Sequence, residues 1–167
     1  FANGGVSEQQ NQISAMITKG AKVIIVGAID GAQLGTQLQQ AQDSGATIIA
    51  YDRLLLNTAN VDYYVAYDNF KVGVLQGQAL LDGMKAKKPT GPYNIELFAG
   101  SPDDANAKVF FDGAMSILKP TIDDGTLKVV SGQTTFEQAL TKCWKAAHAQ
   151  RLADTLLTGY STHAILH

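Results

Sequence analysis

One segment constrains this chain more than any other. Lys22-Val-Ile-Ile-Val-Gly-Ala28 is a short apolar run rich in β-branched residues, Gly31 follows it, and Ala32–Asp43 then carries helical spacing. Ser44-Gly45 ends that helix, and Ala46-Thr-Ile-Ile-Ala-Tyr51 begins a second run at once. A strand, a helix and a second strand in that order form a βαβ unit, whose strands run parallel because the helix supplies the crossover. Alternation of this kind argues for parallel sheets with helices on both faces, and hence for an α/β fold.

The alternation continues in both directions. Val6–Lys19 reads as a helix with Val6, Ile13, Met16 and Ile17 on one side and Gly20 as its stop. Asp62–Tyr67 predicts a third strand, and Asn69–Lys85 a helix through Val72, Leu75, Gln76, Ala79, Leu80 and Met84. Lys87-Lys-Pro-Thr-Gly-Pro92 breaks the pattern. Beyond it the sequence predicts a strand over Tyr93–Ala99, a helix over Asp104–Leu118 and a strand over Leu127–Ser131. A helix from Phe136, another over Ala149–Leu157 and a terminal strand over Thr162–Leu166 complete the series. An α/β chain ordinarily has a strand before its first helix and a helix after such a strand, so both ends are expected to lie in mid-fold.

Composition removes several function classes. Thirteen Lys and Arg against 15 Asp and Glu give a net charge of −2, and no basic cluster exceeds Lys85, Lys87 and Lys88. Phosphate-backbone binding needs more than that, so nucleic acid is not an expected partner. At 46% hydrophobic residues the chain can build a core, and no apolar run approaches the roughly 20 residues that span a bilayer. The lone Cys143 closes no internal disulfide, and His148, His163 and His167 lack the spacing of a metal site. Cys143 and His148 lie five residues apart, which does not bring them together on one helix face as a nucleophile and base. Gly27, Gly31 and Gly35 are spaced G-x-x-x-G-x-x-x-G, not the G-x-G-x-x-G that lets a backbone approach a pyrophosphate. No metal, no cofactor and no catalytic residue is therefore expected.

The polar residues at predicted strand ends are the candidates for binding, because ligands of open α/β sheets sit beyond the carboxyl ends of the strands. Tyr51-Asp52-Arg53 is one such end. Arginine is scarce here, only Arg53 and Arg151 among 13 cations, and its rigid fork of donors beside the Asp52 carboxylate suits adjacent hydroxyls. The bland alternative is a loop salt bridge. Tyr67-Asp68-Asn69 is the next strand end, where Asp68 or Asn69 fits a helix N-cap. Ser101-Pro-Asp-Asp-Ala-Asn106 is the third; Asp103 or Asp104 fits the cap, and Asn106 falls in the first turn with an amide that both donates and accepts. Trp144, the only tryptophan, is either core or an apolar face for the C–H side of a sugar ring.

Taken in order, Ala50-Tyr-Asp-Arg53, Tyr67-Asp-Asn69, Gly100-Ser-Pro-Asp-Asp-Ala-Asn-Ala107 and Trp144-Lys145 resemble the periplasmic monosaccharide-binding proteins of bacterial ABC transporters, most closely the xylose and multiple-sugar receptor branch. The resemblance covers nearly the whole chain and implies the type I periplasmic-binding-protein architecture, here as two partial doubly wound parallel-sheet lobes. Residues 1–67 would form the first lobe and 68–167 the second, with Asp68 and Asn69 at the hinge between them. In that family two lobes close on one sugar, and the loaded form docks on a membrane permease. The resemblance implies Asp52 and Arg53 as sugar hydrogen-bonders on the first lobe and Asn106 and Trp144 as sugar contacts on the second, with Asp104 as a further ligand-binding residue. Cys143 stands where a glycine is usual before the tryptophan, Ala146 where a proline is usual, and Ala105 where a polar residue is common.

The function implied is non-enzymatic binding of a pentose or hexose for delivery to an ABC permease, in the periplasm or exported to the cell envelope. The effector domain of a sugar-responsive transcription regulator shares the architecture and is the alternative. An enzyme built on the Asp52 and Asp68 carboxylates lacks an adjacent nucleophile and base. Incomplete sheets would leave edge strands open, so self-association and weakened or missing sugar affinity are also expected.

Overall fold

A computed structural model describes residues 2–3 and 5–164, with the side chains of 159–164 outside the description. The chain forms two compact units, Phe1–Tyr67 with Asp103–Asn106, and Asp68–Pro102 with Ala107–His167.

The first unit holds α1 (Val6–Thr18), β1 (Val23–Val26), α2 (Gly35–Asp43), β2 (Thr47–Tyr51) and β3 (Tyr63–Val65). The strands lie in the order β1-β2-β3, all parallel, with Val23 opposite Thr47 and Ile49 opposite Tyr63. Period-2 alternation sends Ile24, Val26, Ile48 and Ala50 to one face, where they form a core with Ile13 of α1 and Leu34, Leu38 and Ala41. The return from α2 to β2 is abrupt because Gly45 adopts φ +74°. The Ala46 N–H then reaches the Ala41 carbonyl at 3.0 Å and the Gly45 N–H the Gln42 carbonyl at 2.9 Å, a paired closure that satisfies two orphan helix carbonyls. The opposite face of this sheet differs from the expected two-sided cover: Val23 and Ile25 are 56% and 65% exposed, and Tyr63 and Val65 of β3 are exposed too.

The second unit holds α3 (Asn69–Lys87), β4 (Tyr93–Ile95), α4 (Ala105–Asp123, from Ala107 onward), β5 (Leu127–Val129), a 3-10 turn at Lys142–Trp144 and α5 (Ala146–Ala164). β4 and β5 pair in parallel, Tyr93 opposite Leu127, and Ala99 makes a separate parallel bridge to Leu140. The α3 and α4 backbones approach closely through glycine: a side chain at Gly73 would meet the Phe110 carbonyl and the Ala114 amide, and one at Gly113 the Phe70 carbonyl. Tyr93, Ile95, Leu97, Leu118, Leu127, Val129 and Phe136 share the core below.

Three sequence expectations are corrected in this unit. α4 does not stop at Leu118 but runs to Asp123 with Pro120 inside it. Thr121 Oγ1 donates to the Leu118 carbonyl at 2.7 Å, and Lys119 pairs with Asp123 at 2.7 Å, which supports the turn that proline leaves short of a donor. No helix starts at Phe136; residues 136–138 form a turn. Gln138 Oε1 accepts from the Thr134 and Thr135 N–H groups, both at 3.1 Å, and Thr135 Oγ1 accepts from the Gln138 N–H at 3.3 Å, a reciprocal capping arrangement around a single turn that ends at Ala139, whose N–H reaches the Thr135 carbonyl at 3.2 Å. The terminal strand over Thr162–Leu166 is absent where described, because α5 continues through Ala164. Ile165 and Leu166 lie outside the described residues. Thr155 and Thr158 return their hydroxyls to the carbonyls of Arg151 and Asp154, at 2.9 and 2.8 Å, and so fit a helix despite branching at Cβ.

Candidate functional site

At the carboxyl end of β2 the backbone turns within three residues. Asp52 sits at φ +65°, and the Arg53 N–H donates to the Tyr51 carbonyl at 2.8 Å, closing a γ-turn that a non-glycine residue adopts only at a steric cost. Bonds on both sides of the residue hold Asp52 in it: its N–H donates to the Val65 carbonyl of β3 at 2.9 Å, and its own carbonyl accepts from the Tyr64 hydroxyl at 3.0 Å.

The turn sends Arg53 away from its sequence neighbour. Its Nε pairs with Asp104 Oδ2 at 3.0 Å, and its Nη1 donates to the Ile29 carbonyl at 2.6 Å. The Asp104 side chain is almost fully buried, at 7% exposure, while that of Arg53 is 22% exposed. A guanidinium carries five N–H donors. The two engaged donors fix its plane, and Nη2 has no hydrogen-bond partner among the described residues. The loop salt bridge between neighbours Asp52 and Arg53, the alternative raised by the sequence, is not formed: Arg53 pairs with Asp104, 51 positions away.

Asp104 immediately precedes α4, and its Oδ1 accepts from the Asn106 N–H at 2.9 Å, as an N-cap carboxylate does. One carboxylate thus spends one oxygen on the helix end and the other on Arg53. Asn106 is buried, and its Nδ2 donates to the Asp52 carbonyl at 3.1 Å and lies 3.5 Å from Asp52 Oδ1. Asp52, Arg53, Asp104 and Asn106 form one cluster within the first unit, so Asn106, expected on the second lobe from its place after residue 68, packs with the first instead. Sequence reasoning did not single out the Ile29 carbonyl, a backbone group that no residue type announces, or the Tyr64 hydroxyl.

The second unit carries the other named residues. Asp68 is the N-cap of α3, its side chain accepting from the Lys71 N–H at 2.9 Å, and Asn69 is the first helical residue. Trp144 is half exposed, and its ring lies over Gly100, where any Cβ would collide with it. Cys143 at φ +56° and Trp144 at φ +52° are both left-handed, and the Cys143 N–H donates to Oγ of the fully buried Ser101 at 2.7 Å. Beside the ring is a largely apolar cavity of about 390 Å³, lined by Leu97, Phe98, Phe110, Phe111 and Met115 among others.

The first cluster brings together groups able to bond hydroxyls: a guanidinium held in one plane, the Asp52 carboxylate and a side-chain amide. Residues 1–166 match the family model described as periplasmic binding protein domain. The chain is similar to the multiple sugar-binding periplasmic receptor ChvE of Rhizobium radiobacter, 51% identical over 98% of this chain and 46% of the receptor. It is also similar to the D-xylose-binding periplasmic protein of Escherichia coli K12, 42% identical over 94% of this chain and 43% of that protein. The crystal structure of an ABC transporter solute binding protein from Clostridium phytofermentans with bound β-D-glucose superposes with a TM-score of 0.89 at 41% identity, covering 95% of this chain and 49% of that one. The chain thus spans about half the length of the relatives it matches.

Proposed function

The chain belongs to the periplasmic binding protein domain family, and from that premise we propose that it is the sugar-binding part of a monosaccharide receptor. It binds a pentose or hexose without turnover and serves delivery to the permease of an ABC transporter, in the periplasm. The observation that carries this reading is Arg53, held by Asp104 and the Ile29 carbonyl so that its remaining donors keep one direction. A donor whose orientation is settled before the ligand arrives loses less entropy on binding.

Asp52 supplies a carboxylate acceptor to the same hydroxyls, Asn106 acts by holding Asp52 through its amide, and Asp104 acts on the ligand chiefly through Arg53. Trp144 offers its exposed ring face to the apolar side of a pyranose. Tyr67 and Asp68, where the chain passes from the first unit to the second, are the proposed hinge region together with Asn69. The residues in the first unit's exposed sheet face and its edge strand β3 support self-association with a second copy, which light scattering across a concentration series tests; a monomer at every concentration contradicts it.

The ligand reading is tested with the single tryptophan as reporter. Xylose, arabinose, galactose and glucose are titrated against the 167-residue chain while Trp144 emission is followed. A saturable change with at least one sugar, lost in Arg53→Lys, is expected. No response to any of the four, or an equal response in the variant, overturns it.

A further inference from the structure

The Arg53 cluster depends on a side chain outside it. Gln9, in the second turn of α1, bonds twice to the loop that leaves β1: its Nε2 donates to the Gly27 carbonyl at 2.8 Å, and its Oε1 accepts from the Ile29 N–H at 2.9 Å. A side-chain amide that takes a C=O and an N–H two residues apart acts like one more rung of a strand ladder. It fixes both peptides around Ala28. The carbonyl of that same Ile29 is the acceptor for Arg53 Nη1 at 2.6 Å. The loop has little slack elsewhere, since Gly31 is pressed against the Leu54 carbonyl and the Leu56 N–H donates to the Gly31 carbonyl at 2.9 Å.

We propose that Gln9 is a positioning residue for Arg53, setting the Ile29 carbonyl and through it the plane in which the guanidinium presents its free donors. Its consequence for sugar affinity rests on the receptor reading given above. Its consequence for Arg53 does not, and is read without a ligand.

The chain has only two arginines, Arg53 and Arg151, so the guanidinium Nε–H region of a nitrogen–proton NMR spectrum holds two signals, which Arg53→Lys assigns. Gln9→Met keeps the length of the side chain and removes both bonds, whereas Gln9→Glu keeps the acceptor and removes the donor. In folded Gln9→Met the Arg53 signal is expected to move and to exchange with solvent about tenfold faster, the size of one lost hydrogen bond, while the Arg151 signal stays in place. Gln9→Glu is expected to fall between. A purely structural tie between α1 and β1 would leave the Arg53 signal where it was, and that result in a folded variant overturns the proposal. Should Gln9→Met fail to fold, the same comparison in Gln9→Glu decides. In calorimetry Gln9→Met is expected to bind sugar about tenfold more weakly than the unmodified chain. Failure of the unmodified chain to bind would refute the receptor reading and leave the NMR outcome for Gln9 intact.

Discussion

Asp104 is the residue whose replacement separates structure from binding most clearly, because its two oxygens do different work. Oδ1 holds the start of α4 and Oδ2 holds Arg53. Asp104→Asn keeps an oxygen for the Asn106 N–H but removes the charge that Arg53 faces. A hydrogen bond to a charged group contributes about 1.5 to 3 kcal/mol against about 1 for a neutral one, and Arg53, partly open to water, recovers some hydration. The expected loss is about 1.5 kcal/mol. With a urea dependence of about 2 kcal/mol per molar, the unfolding midpoint falls by about 0.7 M. Asp104→Ala also forfeits the cap, about 1 kcal/mol more, for a midpoint lower by about 1.2 M. Far-UV circular dichroism reads both midpoints, and Trp144 fluorescence reports separately on the second unit. Sugar affinity should fall in both variants alike, since both release Arg53 Nε. An Asp104→Asn midpoint equal to that of the unmodified chain would refute an energetically meaningful ion pair. Equal losses in the two variants would refute the capping role.

The remaining predictions concern glycine-dependent geometry. Gly73→Ala should cost about 1 to 2 kcal/mol, because overpacking against the α4 backbone outweighs the gain in helix propensity, whereas Gly83→Ala in the same helix meets nothing within 4 Å and should stabilise by up to about 1 kcal/mol. Urea midpoints check both, and a loss at both positions would show that the close α3–α4 approach is not what limits Gly73. Cys143→Gly should stabilise by about 0.5 to 1 kcal/mol, as φ +56° is strained for cysteine and the gain is offset in part by a freer unfolded chain. An unchanged or lower midpoint would mean that the left-handed turn before Trp144 carries no such strain.

The elements legible in the sequence are those whose signals are local. The β-branched run at Val23–Val26, the Ser44-Gly45 stop and the run at Thr47–Tyr51 fix each other at short range, and the structure places β1, α2 and β2 there. Where side chains reach across a turn, legibility ended. Proline at 120 is a strong stop in isolation, yet the Thr121 hydroxyl and the Lys119–Asp123 pair carry α4 past it. Phe136 has helical neighbours in sequence, and Thr135 and Gln138 cap one turn there, but the turn goes no further: Phe136 is buried against Phe111, with ring centroids 5.7 Å apart, and the chain enters the Ala99–Leu140 bridge.

The candidate site divides in the same way. Position at strand ends points to Asp52, Arg53, Asn106 and one of Asp103 and Asp104, because the carboxyl end of a parallel sheet is where such side chains gather. Which of them meet was not written in the spacing. Arg53 passes over adjacent Asp52 because the γ-turn at φ +65° points the two side chains apart, and its partners are a carboxylate 51 residues away and a backbone carbonyl. A glycine at position 143 would suit the backbone there, since that residue and the next are both left-handed.

The most direct test of Arg53 as the anchor of a sugar site is calorimetric titration of the 167-residue chain and of Arg53→Lys with xylose, arabinose, galactose and glucose. Lysine keeps the charge but cannot bond Asp104, the Ile29 carbonyl and a ligand from one rigid plane. Saturable heat with at least one sugar in the unmodified chain, abolished in a folded Arg53→Lys, is the predicted result. Equal binding by both chains, or no heat from a folded unmodified chain, would contradict it.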